Sequence, residues 1–375
     1  MTGPSTTTAV RDEPGLVGLI ADRRPPDRAL IGVLPGEGIG PEVMDASLHV
    51  LRRVEEAGGR PVTVELGGAI GGAAEREAGS ALPDPVIRFC QDVFERGGAV
   101  LSGPGGGRYV YDLRRRLGLF IKLSPIQARL GLADASTLRP DALEGIDLLV
   151  ARENLGGVYQ GSADERPAED GRLVEHRFSY AESEVRRFLE AAARLARSRS
   201  GELTVVVKQA GVPLISDLWR ECASDVAAAQ GIECSFVDVD LMAYRLVQRP
   251  RSFDVIAAPN LFGDILGDLA AILLGSRALS FGASFSQHGE GVYQTNHGAA
   301  HDIAGSGRAN PVGQILSLAL MLRESLGLER EAWAIEEAVR SLWASGGRTD
   351  DLGGQLGTRE VADRLGDAAA ALVAE

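Results

Sequence analysis

Short apolar runs of strand length alternate with longer amphipathic segments along most of this 375-residue chain. The first run, ALIGVLPG, ends in a glycine-rich turn. The segment that follows, PEVMDASLHVLRRVEEAG, opens with proline and closes with glycine, as helices commonly do. Later apolar runs are GAVLSG, IDLLVAR, LTVVVKQ, CSFVDVD and FDVIAAPN, and helical stretches such as SEVRRFLEAAARLARS and ISDLWRECASDVAAAQG lie between several of them. This alternation predicts an α/β fold with a largely parallel sheet.

The composition excludes several classes of protein. A formal net charge of −13 without a dense basic run argues against binding of nucleic acid. No apolar run reaches membrane-spanning length, and residues 1–29 lack the apolar core of a signal peptide. We therefore expect no membrane association, and we expect residues 1–29 to be a flexible N-terminal extension. The cysteines have neither metal nor disulfide spacing, which suggests a cytoplasmic protein with reduced thiols.

The segment NLFGDILGDLAAILL, residues 260–274, carries two aspartates in an otherwise apolar run. A helix with Asn260 as its N-cap would place Asp264 and Asp268 on one face, because positions four apart stack. Like charges placed in this way repel each other. Either the helix end is solvated, or a divalent cation binds there, and the segment alone leaves both possibilities open.

Two other motifs resemble known sites only superficially. PGEGIGPE, residues 35–42, has the spacing GxGxG followed by proline, whereas the Rossmann fingerprint needs GxGxxG leading directly into a helix. HGAAH, which contains His297 and His301, lacks the glutamate of HExxH and has no third soft ligand nearby, so zinc is not expected. Both segments are expected to form turns.

Several long segments, in one order, resemble the metal-dependent β-decarboxylating dehydrogenases of 2-hydroxy acids, the isocitrate and 3-isopropylmalate dehydrogenase family. They are LPGEGIGPEV, ARENLGGVYQG, FDVIAAPNLFGDILGDLAA, NHGAAHDIAGSGRANP and DLGGQLGT. The resemblance implies a two-domain α/β fold that is not a Rossmann fold. Residues 30–119 and 276–375, from both chain ends, would form a cofactor-binding domain, and residues 120–275 would carry the metal and catalytic residues and the dimer interface. It also implies a homodimer whose active sites share residues between subunits.

The resemblance implies roles for individual residues. Asp264 and Asp268 match the family's metal-binding aspartates, and Asp240 matches a third, which the other subunit supplies. All-oxygen ligation suits Mg²⁺ or Mn²⁺, which would stabilise the enolate left by decarboxylation. Lys208, also from the other subunit, would remove the proton from the substrate hydroxyl, and Tyr159 would protonate the enol carbon. Without the resemblance, Lys208 would be interpreted as a solvated strand end and Tyr159 as a core aromatic.

The segment HGAAHDIAG indicates the cofactor. It places Asp302 and Ile303 where NAD-using members of the family have an acid and an isoleucine. An acid accepts hydrogen bonds from the ribose hydroxyls and repels a 2′-phosphate, so NAD is the expected cofactor. The other cofactor-binding positions that the resemblance implies are His297, Gly298, Asn310 and Asp351.

The substrate positions depart from the family pattern. Two of the family's three malate-binding arginines are present, Arg114 and Arg152, but Ser124 stands where the third is expected. Serine offers one hydroxyl in place of a bidentate fork, and losing one charge-assisted contact would cost about 1.5–3 kcal/mol. Lys122 lies two residues earlier and could compensate, although the alternation along a strand could point it away.

The segment GGGRYVYDLR, which would set specificity, is also unusual because Arg108, Tyr109, Val110 and Tyr111 mix cationic and aromatic character. Arg108 is either a solvated loop residue or a contact for a polar or anionic C3 substituent, such as a carboxylate or phosphonate arm. Three further departures are Glu37 for aspartate, Ala210 for asparagine and Gln294 for glutamate.

We therefore expect NAD- and metal-dependent oxidative decarboxylation of a malate-type 2-hydroxy acid with a non-standard C3 substituent, in specialised biosynthesis. One alternative is a 3-isopropylmalate dehydrogenase, and another is a non-decarboxylating dehydrogenase of the tartrate or malate type. A third is a catalytically silent NAD-binding paralogue that regulates a partner. The joint presence of the catalytic pair and the three aspartates argues against the silent paralogue.

Overall fold

The computed structural model describes residues 15–127 and 132–375. Its strands are β1 Ala29–Leu34, β2 Val62–Leu66, β3 Ala99–Ser102, β4 Leu119–Gln127, β5 Asp147–Glu153, β6 Ser162–Ala168, β7 Gly171–Arg177, β8 Glu202–Val207, β9 Glu233–Asp238, β10 Val255–Ala258, β11 Phe281–Ser286 and β12 Gly291–Thr295. Its α-helices are α1 Leu16–Ile20, α2 Gly40–Glu56, α3 Gly71–Ala78, α4 Asp84–Glu95, α5 Tyr109–Arg116, α6 Pro140–Leu143, α7 Glu182–Arg197, α8 Pro213–Gln230, α9 Val239–Gln248, α10 Asn260–Ala270, α11 Val312–Glu324, α12 Glu329–Ala344 and α13 Thr358–Ala374.

Ten strands form one mixed sheet in the order β2-β1-β3-β12-β11-β4-β5-β10-β8-β9. The four strands at each end run parallel to their neighbours, whereas β11 and β4 pair antiparallel with each other, with β12 and with β5. The predicted α/β fold with a largely parallel sheet is confirmed, since six of the nine strand pairings in this sheet are parallel, and the three antiparallel pairings lie together at its centre. There, β4 and β11 each run against the direction of the half-sheet beside them.

Strands from both chain ends lie side by side in one half of this sheet, where β3 pairs with β12. Helix α13 at the C-terminus packs on α2 near the N-terminus, and Arg53 Nη2 donates to Asp367 Oδ1 at 2.7 Å. The boundary proposed from the sequence, between residues 119 and 120 and between 275 and 276, would fall between β11 and β4. Because these strands pair directly, any two domains divided there share one continuous sheet.

The strand and helix predictions agree with the structure where the sequence pattern is strong. The six apolar runs correspond to β1, β3, β5, β8, β9 and β10, and the three predicted helices correspond to α2, α7 and α8. The polar segment SADERPAEDGRLVEHR forms the antiparallel hairpin β6–β7, which lies outside the main sheet and is exposed along nearly its whole length. None of the helices in the described ranges combines the length and apolarity needed to cross a membrane.

The described part of the N-terminal segment differs from the flexible extension expected for residues 1–29; residues 1–14 lie outside the described ranges. Helix α1 buries Val17, Leu19 and Ile20 against the core. Arg194 Nε on α7 donates to the Leu19 carbonyl at 2.5 Å, and Arg23 donates to the carbonyls of Gly289 and Gly98 at 2.9 and 2.8 Å. The apolar triplet within LVGLI gives this short helix enough buried surface to pack.

Glu324, at the end of α11, gives the stability of this packed segment a pH dependence. Burial raises the pKa of its carboxyl to about 7, although the nearby amides of Leu16 and Val17 favour the charged form. The folded state therefore binds more protons than the unfolded chain between pH 4.5 and 7. This contribution to the free energy of unfolding is present at low pH and is lost as the pH rises through about 7.

We expect the E324Q variant to lose less stability than the wild type between pH 5 and pH 8. The full shift corresponds to roughly 3 kcal/mol, and E324Q should abolish only part of the slope because burial also raises the pKa of Glu153 to about 7. Urea unfolding at four pH values measures this difference. An unchanged slope in E324Q would mean that Glu324 titrates as it does in the unfolded chain.

Candidate active site

Helix α10 begins at Asn260, directly after strand β10 and Pro259. The predicted N-cap is wrong, because Pro259 occupies the cap position and Asn260 is the first helical residue. The Asn260 side chain is fully buried and holds the helix to the sheet instead. Its Oδ1 accepts hydrogen bonds from Arg152 Nε at 3.0 Å and Nη2 at 2.9 Å, and its Nδ2 donates to the Gly156 carbonyl at 2.8 Å.

Asp264, one turn along α10, lies between a cation and a phenol. Its Oδ1 accepts from Arg152 Nη1, and its Oδ2 accepts from the Tyr159 hydroxyl at 2.8 Å. Burial would raise the pKa of Asp264, but Arg152 and the Tyr159 hydroxyl outweigh it and lower that pKa below its usual value. Burial and the neighbouring carboxylate raise the pKa of Tyr159. Asp264 is therefore ionised beside a phenol that keeps its proton.

Two buried cations lie near this pair. Arg114 on α5 and Lys122 on β4 are only 3% and 8% exposed. Neither forms an ion pair within the described residues, and Arg114 Nε has no hydrogen-bond partner there. Burial lowers the pKa of both groups. The positive charge of Arg152 lowers the pKa of Arg114 further, and the charges of Arg114 and Arg152 lower that of Lys122 further. Buried charges without partners are costly, so this cluster is prepared for an anion.

The sheet register determines where Lys122 points. Lys122 lies directly opposite Arg152 in the antiparallel pair of β4 and β5, and residues two apart on a strand share a face. Lys122 and Ser124 therefore project to the same side of the sheet, and the alternation does not turn Lys122 away. Ser124 is itself 5% exposed and accepts a hydrogen bond from Asn296 Nδ2 at 3.2 Å.

In helix α5 and the residue before it, some side chains of the unusual segment face the core and others face the site. Tyr109 is buried in the core and its hydroxyl donates to the Gly103 carbonyl at 3.2 Å, so it is not available to a substrate. Tyr111 is half-buried and stacks near Tyr159, with ring centroids 4.8 Å apart. Arg108 is exposed, lies 5.6 Å from the Tyr111 ring, and donates from Nη2 to the Tyr159 carbonyl at 3.0 Å. Val110 is half-buried against the core beneath this helix.

Lys208 and Asp240 form a separate pair at the ends of β8 and β9. Lys208 Nζ lies 2.5 Å from Asp240 Oδ1, and within one chain it makes no hydrogen bond to Tyr159 or Asp264 among the described residues. Asp268 has a different partner from Asp264: its Oδ2 accepts a hydrogen bond from Arg277 Nη2 at 2.5 Å. In the described ranges no group of three His, Cys, Asp or Glu side chains is arranged to hold a metal. One chain thus brings two of the three predicted metal ligands onto one helix and leaves Asp240 apart.

A cavity of about 440 Å³ lies beside Arg277 and gathers most of the predicted cofactor residues. Its lining includes Ile39, Arg308, His297, Gly298, Ile303, Asn310 and Asp351. Asp302 does not line it and is exposed on the loop beside it. Asn310 Nδ2 donates to Asp351 Oδ2 at 3.1 Å, and Asp351 also accepts from Ser276 and Thr349, both at 2.5 Å. The N- and C-terminal motifs therefore meet at one cavity.

His297 lines this cavity, and the structure determines the tautomer of its ring. Burial lowers the pKa of its ring, so the ring is neutral at physiological pH. Its Nδ1 lies 2.9 Å from the Gly298 carbonyl and must therefore carry the proton. Nε2 is buried, has no partner among the described residues, and is left as an acceptor.

Sequence reasoning missed Asn260 as a support for Arg152, and Arg277 as the link between Asp268 and the cavity. A sequence signal that it did not use is the scarcity of lysine. Lys122 and Lys208 are the only lysines in a chain with 39 Lys and Arg residues together. A chain that otherwise uses arginine for its cations keeps the compact ammonium at two predicted site positions.

Comparison with known proteins shows the family to which the chain belongs. The family described as isocitrate/isopropylmalate dehydrogenase matches residues 30–365. The 3-isopropylmalate dehydrogenase of Anaeromyxobacter dehalogenans is 42% identical over 355 residues, which are 90% of this chain and 98% of that protein. The enzyme of the same name from Heyndrickxia coagulans is 40% identical over 353 residues, 89% and 95% of the two chains.

Solved structures give the same result. Isocitrate dehydrogenase from Methylococcus capsulatus superposes with a TM-score of 0.80 at 28% identity, covering 91% of this chain and 99% of that one. A beta-decarboxylating dehydrogenase from Thermococcus kodakarensis gives a TM-score of 0.72 at 28% identity, with 91% and 96% covered. The chain therefore belongs to the isocitrate/isopropylmalate dehydrogenase family and is an oxidoreductase that acts on a CH–OH group with decarboxylation.

Proposed function

We propose that this protein oxidises and decarboxylates a 3-substituted malate, with NAD as the hydride acceptor and Mg²⁺ or Mn²⁺ as the metal. The observation that carries the proposal is the pair of buried, unpaired cations Arg114 and Lys122 beside Arg152. Burying two such charges is unfavourable unless an anionic ligand completes them. A malate has two carboxylates, which would satisfy Arg114 and Lys122 together with the unused donors of Arg152.

The donor set around α10 fits a hard divalent cation. Asp264 and Asp268 offer carboxylate oxygens at 36% and 44% side-chain exposure, and each accepts a hydrogen bond from an arginine. Asp240 of a second subunit, substrate oxygens and water would complete the oxygen ligands. Such a cation would act as a Lewis acid for the negative charge that develops as CO₂ leaves.

Two side chains of this protein would carry out the proton transfers. Tyr159 keeps its phenolic proton beside ionised Asp264, so it can protonate the carbon from which CO₂ departs. Lys208 would accept the proton of the substrate hydroxyl through its Nζ. Its ion pair with Asp240 raises its pKa, so this pair must separate before Lys208 acts as a base.

The cavity beside α10 fits the adenosine end of NAD. Its lining by Ile39, His297 and Ile303 offers apolar and aromatic contacts to an adenine ring. The two arginines at the cavity, Arg277 and Arg308, are each paired with a carboxylate, Asp268 and Asp350 respectively. Arg277 would be released when Asp268 binds the metal, but Arg308 stays paired with Asp350 and exposed Asp302 repels a 2′-phosphate, which supports NAD over NADP.

The proposed enzyme is a homodimer in the cytoplasm with shared active sites. Eight of the eleven exposed large apolar residues in the described ranges lie between residues 173 and 272, including Leu214 on α8, Tyr244 on α9 and Ile265 on α10. These helices border Lys208, Asp240 and Asp264, so a second copy covering them would approach the site.

The C3 substituent has two candidates. The names of the relatives, at about 40% identity, favour 3-isopropylmalate. Since Lys122 projects toward Arg152, it can replace the missing arginine at Ser124, and this removes the reason to expect weak binding of that substrate. Arg108 favours the second candidate, a polar or anionic arm, because its guanidinium lies beside Tyr111 and Tyr159 at the exposed edge of the cluster.

NADH formation tests the proposal. With Mn²⁺ and NAD, we expect turnover of one 3-substituted malate from a panel of 3-isopropylmalate, isocitrate, homoisocitrate, phosphonomethylmalate, tartrate and malate, and loss of that turnover with EDTA. Parallel release of CO₂ distinguishes decarboxylation from plain oxidation. NAD binding without turnover of any member would favour a silent paralogue, and NADH without CO₂ would favour a non-decarboxylating dehydrogenase.

A further inference from the structure

Glu37 lies at the junction of three loops outside the substrate site. It is 8% exposed, although the residues around it belong to glycine-rich turns. Its own backbone amide donates to the Pro104 carbonyl at 2.9 Å, and the next-but-one amide, that of Ile39, donates to the Ala299 carbonyl at 2.8 Å. The loop that carries Glu37 is therefore fixed on both sides before its side chain is considered.

The carboxylate of Glu37 joins the second and third loops. Its Oε1 accepts from the Gly106 amide at 2.5 Å, and its Oε2 accepts from the Ala73 amide at 3.2 Å, with the Gly72 amide also close. Burial would raise the pKa of this carboxyl, but the three amides lower it below its usual value, so Glu37 is ionised. One charged group thus connects the start of α3 to the turn before α5.

Glycines make room for this carboxylate. A Cβ at Gly71 or Gly106 would lie 2.6 or 2.7 Å from Glu37 Oε1. The sequence resemblance expects aspartate at this position, and the extra methylene of glutamate lets the carboxylate reach the Gly106 amide across the junction. The glutamate and the glycine-rich turn therefore fit each other in size.

The turn that Glu37 holds leads directly into the cluster around Tyr159. Arg108, two residues after Gly106, donates to the Tyr159 carbonyl at 3.0 Å. Gln160 Nε2, next to Tyr159, donates to the Tyr111 carbonyl at 3.1 Å. Displacement of Gly106 would therefore displace Arg108 and Tyr111 relative to Tyr159.

We propose that Glu37 is a positioning residue that fixes the turn Gly105–Arg108, so that recognition of the C3 substituent depends on a carboxylate outside the substrate site. This inference rests on the proposed function, because it assumes a 3-substituted malate beside Arg108 and Tyr111. Glu37 acts through the backbone of the turn and contacts neither substrate nor cofactor.

The test compares E37D, E37Q and a control variant, E331Q. E37D keeps the charge but is too short to hold Gly106 and Ala73 together. E37Q keeps the length but replaces one acceptor oxygen with a donor, which faces another donor. Glu331 is also buried, 5% exposed, and accepts a backbone hydrogen bond from Arg60 at 2.8 Å, but it lies on α12. E331Q therefore reports the effect of removing a buried carboxylate elsewhere.

Two measurements are made on each variant. Hydrogen exchange of peptides spanning residues 103–112 needs no substrate, and we expect it to accelerate about tenfold in E37D and E37Q but not in E331Q. For the best 3-substituted malate, we expect KM to rise about tenfold in E37D, while kcat/KM for malate and KM for NAD change less than about threefold.

Specific outcomes contradict the inference. Unchanged exchange in E37D would mean that the turn does not depend on Glu37. Equal losses with malate and the substituted malate, or a rise in KM for NAD alone, would assign Glu37 to general support of the junction or to the cofactor loop. A wild type that is inert on every malate would contradict the proposed function, and the exchange data would then still decide whether Glu37 fixes the turn.

Discussion

The K208A variant is expected to lower kcat by about 100- to 10,000-fold, because it removes the group proposed to take the proton of the substrate hydroxyl. The Y159F variant should lower kcat over a similar range, because the phenol that donates to Asp264 also supplies the proposed proton. Steady-state NADH formation with the best substrate measures both effects. NAD binding should stay within about threefold of wild type, since neither side chain lines the cofactor cavity.

The same two variants test whether the active site is shared. If Tyr159 and Lys208 of one site come from different subunits, a mixed dimer of K208A and Y159F contains one site with both residues intact. Random mixing would then restore about a quarter of wild-type activity, since half of the dimers are mixed and each has one working site of two. The mixed dimers are made by denaturing the two variants and refolding them together. In the control, each variant is denatured and refolded alone and should remain inactive.

Failure of the mixture to recover, with mixed dimers verified by mass, would place both residues in one subunit's site. This would conflict with the separation seen within one chain, where Lys208 contacts Asp240 and Tyr159 contacts Asp264. High activity in K208A alone would remove Lys208 from the proton transfer. In that case the unpaired cations would still account for substrate binding but not for the base.

The sequence predicted the fold best where the apolar pattern was continuous. Strands such as β8 and β10 are buried on both faces and read as unbroken apolar runs. The sheet centre was not predicted, because β4 carries Lys122, Ser124 and Pro125, and β11 is FGASFS with small and polar residues. Their burial depends on pairing with each other across more than 150 residues, which no local pattern records.

Motifs in the sequence supply candidate residues for the site, but packing decides how those residues are oriented. Helix α5 shows the difference. Tyr109 and Leu113, four apart, face the core, so Tyr111 faces Tyr159. The aromatic composition of the segment was visible from the sequence, but the rotation of the helix was not. The role of Asn260 was mistaken for a similar reason, since its partner Arg152 is 108 residues away.

The direction of Lys122 likewise required the sheet register. Once β4 pairs antiparallel with β5, Lys122 lies opposite Arg152 and projects to the same side as Ser124. The sequence alone shows that position 124 lacks the arginine expected from the resemblance and that a lysine lies two residues earlier. Whether both positions serve one site depends on the tertiary pairing.

The K122M variant is expected to lose substrate affinity and gain stability at the same time. Methionine has nearly the shape of lysine without the charge. Loss of one charge-assisted contact should lower kcat/KM by about 10- to 150-fold. The free energy of unfolding should rise by about 1 kcal/mol, because a buried cation with no partner, close to Arg114 and Arg152, is removed. Urea unfolding and steady-state kinetics measure the two changes.

The double variant K122M/S124R tests whether Lys122 replaces the arginine that the family has at position 124. If it does, the double variant should recover at least about tenfold of the lost kcat/KM, and it should do so equally for malate and for 3-substituted malates. If Lys122 instead binds an anionic C3 arm, K122M should affect only substrates with that arm, and S124R should not restore them. A K122M variant that is destabilised and retains full kcat/KM would make Lys122 a structural residue. The buried cations would then no longer support an anionic substrate. A cation that pairs only with a bound anion should lower the stability of the free protein, so its removal should increase stability and weaken binding.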